Sequence, residues 1–327
     1  MLSKNLIRGM FYLFVVLGLL VAIDIIAAVK RFESPGPSTA ETVVEIAPGS
    51  SLRSMSAKLE EAGVIHSSRD FNMVVRILRA SGALQAGEYA FPAGISGTDA
   101  FKMIREGKTR DHSVTLAEGL SVAQVLTLLD DNETLLGPVS DVPEEGSLLP
   151  ETYHFKKGET RDGIIRRAQM DMRLVLDRLW SARAADFPLA SKQEALILAS
   201  IVEKETAVEG ERRRIAAVFL NRLQQNMRLQ TDPTVIYGIT GGLPLGRAIL
   251  QSDLDRETPY NTYRIRGLPL GPIANPGRAS LEAVFDPEFT DELYFVADGS
   301  GGHVFATTLE EHNRNVREWR QIKSQRQ

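Results

Sequence analysis

The sequence predicts an α+β chain: an N-terminal membrane-spanning helix, a small βααβ module, and a larger mixed α+β domain built round a buried helix. Three observations carry this. Phe11 to Val29 is an apolar run with one charge, Asp24, close to the ~20 residues that cross a bilayer. From Thr42 onward, short segments of strand and helix periodicity alternate. Ser191 to Thr206 reads S-K-Q-E-A-L-I-L-A-S-I-V-E-K-E-T, apolar round its whole circumference between a serine start and a charged end, the pattern of a helix buried on all sides.

Composition narrows the function. The chain has 327 residues, 43% of them hydrophobic, enough to bury a sizeable core and to fill two domains beyond a membrane segment. A formal net charge of -4 leaves no basic footprint for nucleic acid. Cysteine is absent, which removes disulfides, thiolate metal sites and cysteine nucleophiles together and fits an oxidising compartment. The five histidines are scattered without H-E-x-x-H spacing, so neither a metal nor another cofactor is expected. No P-loop or G-x-G-x-x-G occurs, and the glycines at Gly299 to Gly302 lie between two strands as a hairpin turn.

In chain order, residues 1–10 form a tail and 11–29 the span. Lys4 and Arg8 precede it and Lys30 and Arg31 follow, so flanking charge hardly sets the orientation. The run is long for a cleaved signal, and Ala27-Ala28-Val29-Lys30 is a poor cleavage site, so an uncleaved anchor is expected. Asp24 lies near the far end, within reach of the headgroups. Residues 30–40 read as a linker, with E-S-P-G-P-S-T at Glu33 to Thr39.

Residues 41–110 read as the small module. Thr42 to Ile46 is a strand turned by Pro48-Gly49; Leu52, Met55 and Leu59 share a helix face that Gly63 closes; Ser67 to Gly82 is a second helix with a stripe of Phe71, Val74, Val75 and Leu78; Gly87 to Phe91 is a strand. A helix over Gly97 to Gly107 follows.

Residues 111–327 form the larger domain. Ser113 to Leu116 is a strand and a helix follows Ser121. Leu148 to Phe155 is a loop or short edge strand, because Pro150 lacks a ladder donor and restricts Leu149. Arg161 to Trp180 is an amphipathic helix. After the buried helix, Glu211 to Gln225 is another, whose Arg212, Arg213 and Arg214 read as a solvated face, with pairing to Glu209 and Glu211 as the alternative. Asp232-Pro233 and Asn275-Pro276 each read as a cap before proline at the first helical position. Leu293 to Ala297 and His303 to Ala306 make a hairpin, and Thr308 with Glu311 opens the final helix, Glu310 to about Ile322.

The chemistry is sought at the end of the buried helix. Ser191 and Glu194 have the form of a capping box. Glu203 comes directly after the uncharged run Ala195 to Val202, so its carboxyl leaves the core where a cleft can open. Desolvation raises a carboxyl pKa, and a carboxyl kept protonated can supply the proton in glycoside cleavage. The same residues also fit the first polar turn of a helix leaving the core. At about 100° per residue, Glu205 points about 200° away from Glu203, so the two cannot share one face, and Glu203 is the assignment.

Candidate substrate-binding residues lie in loops stiffened by proline and glycine: Gln230, Asp232, Thr234 and Tyr237 in Q-T-D-P-T-V-I-Y-G, Tyr260, Asn261 and Thr262 in P-Y-N-T-Y, and Asn275 in G-L-P-L-G-P-I-A-N-P-G. Rings of this kind stack on sugar faces and amides bond hydroxyls. Tyr237, Tyr260, Asn261 and Asn275 are expected to line one cleft with Glu203. Glu151, between a proline and two aromatics, and His303 complete the set.

L-A-S-I-V-E-K-E-T at Leu198 to Thr206, Q-T-D-P-T-V-I-Y-G, P-Y-N-T-Y, the G-L-P-x-G-P-I-A-N-P-G run and G-G-H-x-F followed by E-H-N together resemble the MltG (YceG-like) family of endolytic murein transglycosylases, over about residues 41 to 320. The opening of the small module, G-S-S-L-R-S-M-S-A-K-L, is similar to a LysM module. The resemblance implies a single-pass inner-membrane protein with its bulk in the periplasm, a LysM-like region, and a catalytic domain that cuts nascent peptidoglycan strands and ends their elongation. It implies peptidoglycan glycan strands and the inner membrane as partners, with peptidoglycan synthases as candidates, and places the catalytic glutamate on Glu203. Where the family usually shows Asp before Thr-Tyr, this chain has Glu151.

One acid suffices for that reaction. Glu203, protonated, would give its proton to the oxygen linking N-acetylmuramic acid to N-acetylglucosamine, then as carboxylate take one from the muramic acid carbon-6 hydroxyl as it closes onto carbon 1. Two other classes stay open: a water-using muramidase with Glu151 or Asp232 as second carboxylate, and a cell-wall-binding scaffold without catalysis.

Overall fold

The computed structural model describes residues 4–78 and 84–325 and is a mixed α+β fold. The chain divides into two compact units, Met1–His112 with Phe155–Lys157, and Ser113–His154 with Gly158–Gln327.

The first unit opens with helix α1, Lys4–Glu33. Its stretch Ile7–Glu33 is long and apolar enough to cross a bilayer, with large apolar side chains exposed from Ile7 to Ile26. Strand β1 (Thr42–Ile46), helix α2 (Leu52–Glu61), helix α3 (Ser68–Ile77), strand β2 (Gly87–Phe91) and helix α4 (Gly97–Glu106) follow. The strands pair antiparallel from Thr42 opposite Phe91 to Ile46 opposite Gly87. Val44, Ile46, Tyr89 and Phe91 are thereby turned into a core shared with Leu59, Phe71, Val75 and Ile104. Serines start the helices: Ser51, Ser67 and Ser96 each accept from the backbone N–H three residues on. α3 ends at Ile77, so the glycine expected to close it, Gly82, lies outside the described residues.

One expectation is corrected here. Glu33 to Thr39 is not a free linker: α1 runs through Glu33, and Gly36 N–H bonds the Ile95 carbonyl at 3.0 Å. A Cβ on Gly36 would lie 2.2 Å from the Val64 carbonyl oxygen and 2.5 Å from that of Ile95, so only glycine fits this close approach.

Strand β3 (His112–Thr115) pairs with β4 (Thr152–Phe155). The second unit then holds helices α5 (Val122–Asp130), α6 (Arg161–Ala182), α7 (Lys192–Glu205), α8 (Arg212–Gln224), α9 (Asp232–Thr240), a short α10 (Gln251–Asp255) that the sequence did not signal, α11 (Arg278–Phe285), the hairpin β5 (Tyr294–Ala297) and β6 (His303–Ala306), and α12 (Leu309–Gln325). Its core gathers Ala195 to Ala199, Ile201 and Val202 of α7 with Ile215 and Phe219 of α8, Leu281 and Val284 of α11, and Met172 and Val175 of α6.

Arg161, at the first position of α6, sends its guanidinium to the carbonyls of Leu129, Asp130, Asn132, Leu135 and Gly137 at 2.7–3.0 Å. The carbonyls left over at the end of α5 are satisfied this way. The arginines of α8 pair differently from expectation: Arg213 with Asp286 and Arg214 with Glu292, while Glu211 is taken by His303. Both Pro caps are also corrected. Asp232 is the first residue of α9, with Thr231 as its N-cap, and Gly277 is the N-cap of α11. Asn275 is used elsewhere.

Candidate active site

Helix α7 begins where the sequence predicts, with Ser191 accepting from Glu194 N–H at 3.1 Å and the Glu194 carboxylate accepting from Ala190 N–H at 2.7 Å. Every residue from Ala195 to Val202 is buried. The last turn then presents three successive polar residues in three directions.

Glu203 accepts a hydrogen bond from Gly277 N–H at 2.9 Å. Lys204 reaches the Gly119 carbonyl at 3.1 Å. Glu205 receives the Thr231 hydroxyl. The angular argument for separate faces therefore holds, because Glu203 and Glu205 share no partner.

The Glu203 side is built by two loops stitched together. Gly119 N–H donates to the Asn275 carbonyl at 3.0 Å, and Asn275 N–H to the Leu120 carbonyl at 2.9 Å. The Asn275 side chain accepts from Leu148 N–H at 3.0 Å and donates to the Leu120 carbonyl at 2.9 Å. Glu118 is thereby brought against Gly277, where a Cβ would lie 1.9 Å from its carboxyl oxygen. Burial and the neighbouring Glu203 charge push the Glu118 pKa up. Beyond Gly119 and Lys204 opens a cavity of about 350 Å³ walled by Ile236, Tyr237 and Leu243. Tyr237 donates to Glu145 at 3.2 Å and lies 4.8 Å from the Tyr260 ring. Glu145 also accepts from Val122 N–H, and burial raises its pKa.

The Glu205 side is a cleft of about 500 Å³, lined by Arg222, Gln230, Thr231, Asp232, Tyr263, Tyr294 and His312 together with Glu205 itself. The Glu205 carboxyl is half-buried at the wall of this cleft, and burial raises its pKa against the opposing hydrogen bond from Thr231; the nearby Asp232 raises it further. Asp232 accepts from the Tyr263 hydroxyl at 2.7 Å. His303 is close enough to act on Glu205 electrostatically and is itself held by Glu211 at 2.7 Å. Gln230 has a φ of 51°, an uncommon left-handed conformation for a residue other than glycine. Arg222 buttresses the cleft through the Leu229 and Leu293 carbonyls, both at 2.6 Å.

Burial presses the Glu205 carboxyl toward its neutral form, and of the residues expected to bind substrate, Gln230, Asp232 and His303 gather round it. Of the four residues expected to line a cleft with Glu203, Tyr237, Tyr260 and Asn275 lie on that side. Asn261 and Asn275 are each 1% exposed, with their amides spent on backbone. Thr234 and Thr262 are fully buried and bond each other at 2.8 Å. These four fix the loops from inside: they are buried, and their polar atoms already bond protein groups. Glu151 is exposed and 3.6 Å from Arg278.

Sequence reasoning missed Glu118, Glu145, Arg222, Tyr294 and His312. For Glu118 a signal existed: Glu-Gly at the exit of a strand, with Gly119 at a φ of 74°. Arg222, Tyr294 and His312 are single residues inside regular elements and Glu145 sits in a turn, and none carries a local pattern.

Comparison with known proteins adds an independent line. A sequence model described as the YceG-like family matches residues 44–318. The endolytic murein transglycosylase of Bacillus subtilis (strain 168) is 33% identical over 303 residues, spanning 83% of this chain and 82% of that protein. The endolytic murein transglycosylase of Streptococcus pneumoniae serotype 2 is 28% identical over 325 residues, 84% of this chain but 58% of its own length. A 2.6 Å crystal structure of a YceG-like protein from Listeria monocytogenes superposes with a TM-score of 0.53 at 32% identity, covering 85% of this chain and 99% of that one.

Proposed function

The chain belongs to the YceG-like family, and from that premise we propose that it is an endolytic murein transglycosylase whose proton-transfer group is Glu205. The observation that carries the assignment is the half-buried Glu205 carboxyl, its pKa raised by burial, in a 500 Å³ cleft shared with Gln230, Asp232 and Tyr263.

Protonated Glu205 gives its proton to the oxygen between N-acetylmuramic acid and N-acetylglucosamine as positive charge develops at carbon 1. The resulting carboxylate then accepts the proton of the carbon-6 hydroxyl, whose oxygen closes onto carbon 1. The proton removed equals the proton delivered, so Glu205 ends as it began. Asp232, held by Tyr263, supplies negative charge near the developing cation, and the Tyr263 and Tyr294 rings offer faces for pyranose stacking.

Glu203, singled out by the sequence, is the competing acid, since it stands beside Glu118 at Gly277. A water-using muramidase is the rival reaction. Digestion of purified glycan strands by the full-length protein, with the ends weighed by mass spectrometry, separates the reactions: 1,6-anhydromuramic ends support transglycosylation, and reducing muramic ends, one water heavier, support hydrolysis.

The apolar helix α1 makes this a single-pass membrane protein in our reading, with the catalytic unit periplasmic and in reach of nascent strands and peptidoglycan synthases. The βααβ order of the first unit, capped by Ser51 and Ser67, supports a LysM-like glycan-binding role for it.

A further inference from the structure

Asp24 is a carboxylate in an otherwise apolar run, and the transglycosylase reaction has no use for it. Its partner is Arg69 of α3, at 2.7 Å. Seven residues on, Arg31 bonds Asp70 at 2.6 Å, and Asp70 is almost fully enclosed. Between these two ion pairs, α1 enters the core of the module. Ala28 is 0% exposed and Phe32 7%, and the Phe32 ring lies 5.5 Å from Phe71. The helix is unbroken from Lys4 to Glu33, and Gly36 is pinned to Ile95 directly after it. No hinge separates the apolar segment from the module.

A helix rises 1.5 Å per residue, so the stretch from Ile7, where the apolar helix begins, to Ile23 spans about 25 Å, at the short end of what crosses a bilayer, with Arg8 at the N-terminal edge in snorkelling reach of the headgroups. From Asp24 onward the helix carries ion pairs and protein contacts that lipid chains cannot replace. These contacts argue for a bilayer boundary at Asp24 rather than at Val29. Arg69, with 74% of its side chain exposed, sits at that level, where a guanidinium meets lipid phosphate.

We propose that the N-terminal unit is a rigid, membrane-seated body, with α1 leaving the hydrocarbon at Asp24 and Arg69 lying in the phosphate layer of the bilayer. The inference rests on α1 spanning the membrane and is independent of which carboxylate catalyses.

The chain has no cysteine, so single introduced thiols can carry spin labels on the full-length protein in nanodiscs of phosphatidylethanolamine and phosphatidylglycerol. Labels on Leu20→Cys, Ile26→Cys, Lys30→Cys and Arg69→Cys report depth by their collisions with oxygen and with a water-soluble nickel complex. The expected order is Leu20 in hydrocarbon, Ile26 and Arg69 at phosphate depth, and Lys30 in water. Ile26 in hydrocarbon with Arg69 in bulk water overturns the seating while leaving the anchor intact; Leu20 in water overturns the anchor and the seating together. A doubly labelled Leu20→Cys/Val43→Cys protein then tests rigidity. A single narrow distance distribution is expected, and one several-fold broader means a hinge and refutes the rigid body.

Discussion

Glu205→Gln is the substitution on which the functional reading turns. Glutamine keeps the shape of the side chain and can still accept the Thr231 hydroxyl, but it cannot shuttle a proton. General acid–base catalysis contributes about 10²–10⁴-fold, or roughly 2.7–5.4 kcal/mol at about 1.36 kcal/mol per tenfold. Release of 1,6-anhydromuramic ends should fall by at least about 100-fold. Stability should move the other way. Because the folded-state pKa of Glu205 is raised, the folded protein binds more protons than the unfolded one as pH rises above about 4.5, and parental stability falls across that window. Glu205→Gln lacks this term, so its melting temperature relative to the parent should climb from pH 4 toward neutrality. Glu203→Gln serves as the control. It retains an acceptor for Gly277 N–H and exchanges a charged hydrogen bond for a neutral one, a loss of about 1 kcal/mol of stability with turnover within about tenfold of the parent. The assay is digestion of purified strands by all three proteins, with melts from pH 4 to 8. Near-parental turnover in Glu205→Gln, or a 100-fold loss in a folded Glu203→Gln, would refute the assignment.

Three further substitutions test the architecture. Arg161→Lys cannot serve five carbonyls with one ammonium, so thermal unfolding should report a loss of about 2–4 kcal/mol; an unchanged melt would remove Arg161 as the organiser of residues 129–137. Asn275→Ala strips the partner from Leu148 N–H, while the Leu120 carbonyl keeps the backbone N–H of residue 275, and should cost about 1–3 kcal/mol in denaturant titration, with an unchanged titration contradicting its role as a staple. Gly277→Ala drives a methyl group into Glu118 and should destabilise by about 1–3 kcal/mol; adding Glu118→Ala should recover most of that loss, and strict additivity of the two would show that the groups do not meet.

What could be read from the sequence follows the range of the interactions involved. Serine caps, the apolar run Ala195 to Val202 and the βααβ order depend on neighbours within a few residues, and they could be drawn from the chain alone. The angular separation of Glu203 and Glu205 is likewise local geometry. The burial that raises the Glu205 pKa is not local. It depends on Thr231 and Asp232 arriving 26 and 27 positions later, beside Tyr263 and the hairpin, and no periodicity reports that. The same limit misread Asn261, Thr262, Thr234 and Asn275: polar residues in stiff loops look alike whether they face a ligand or hold two loops together. The Pro-Gly segment after α1 was misjudged for a related reason, since its partner Ile95 lies far along the chain.

Gln230 holds a history of compromise. A left-handed backbone costs a residue with a Cβ about 1–2 kcal/mol, and glycine would hold that conformation without strain. Selection for heat resistance alone would favour Gln230→Gly, yet that exchange removes an amide from the wall of the cleft. Gln230→Gly made directly should therefore raise the melting temperature. The variant would endure heat better and cut glycan more slowly, so position 230 marks where durability and turnover are exchanged.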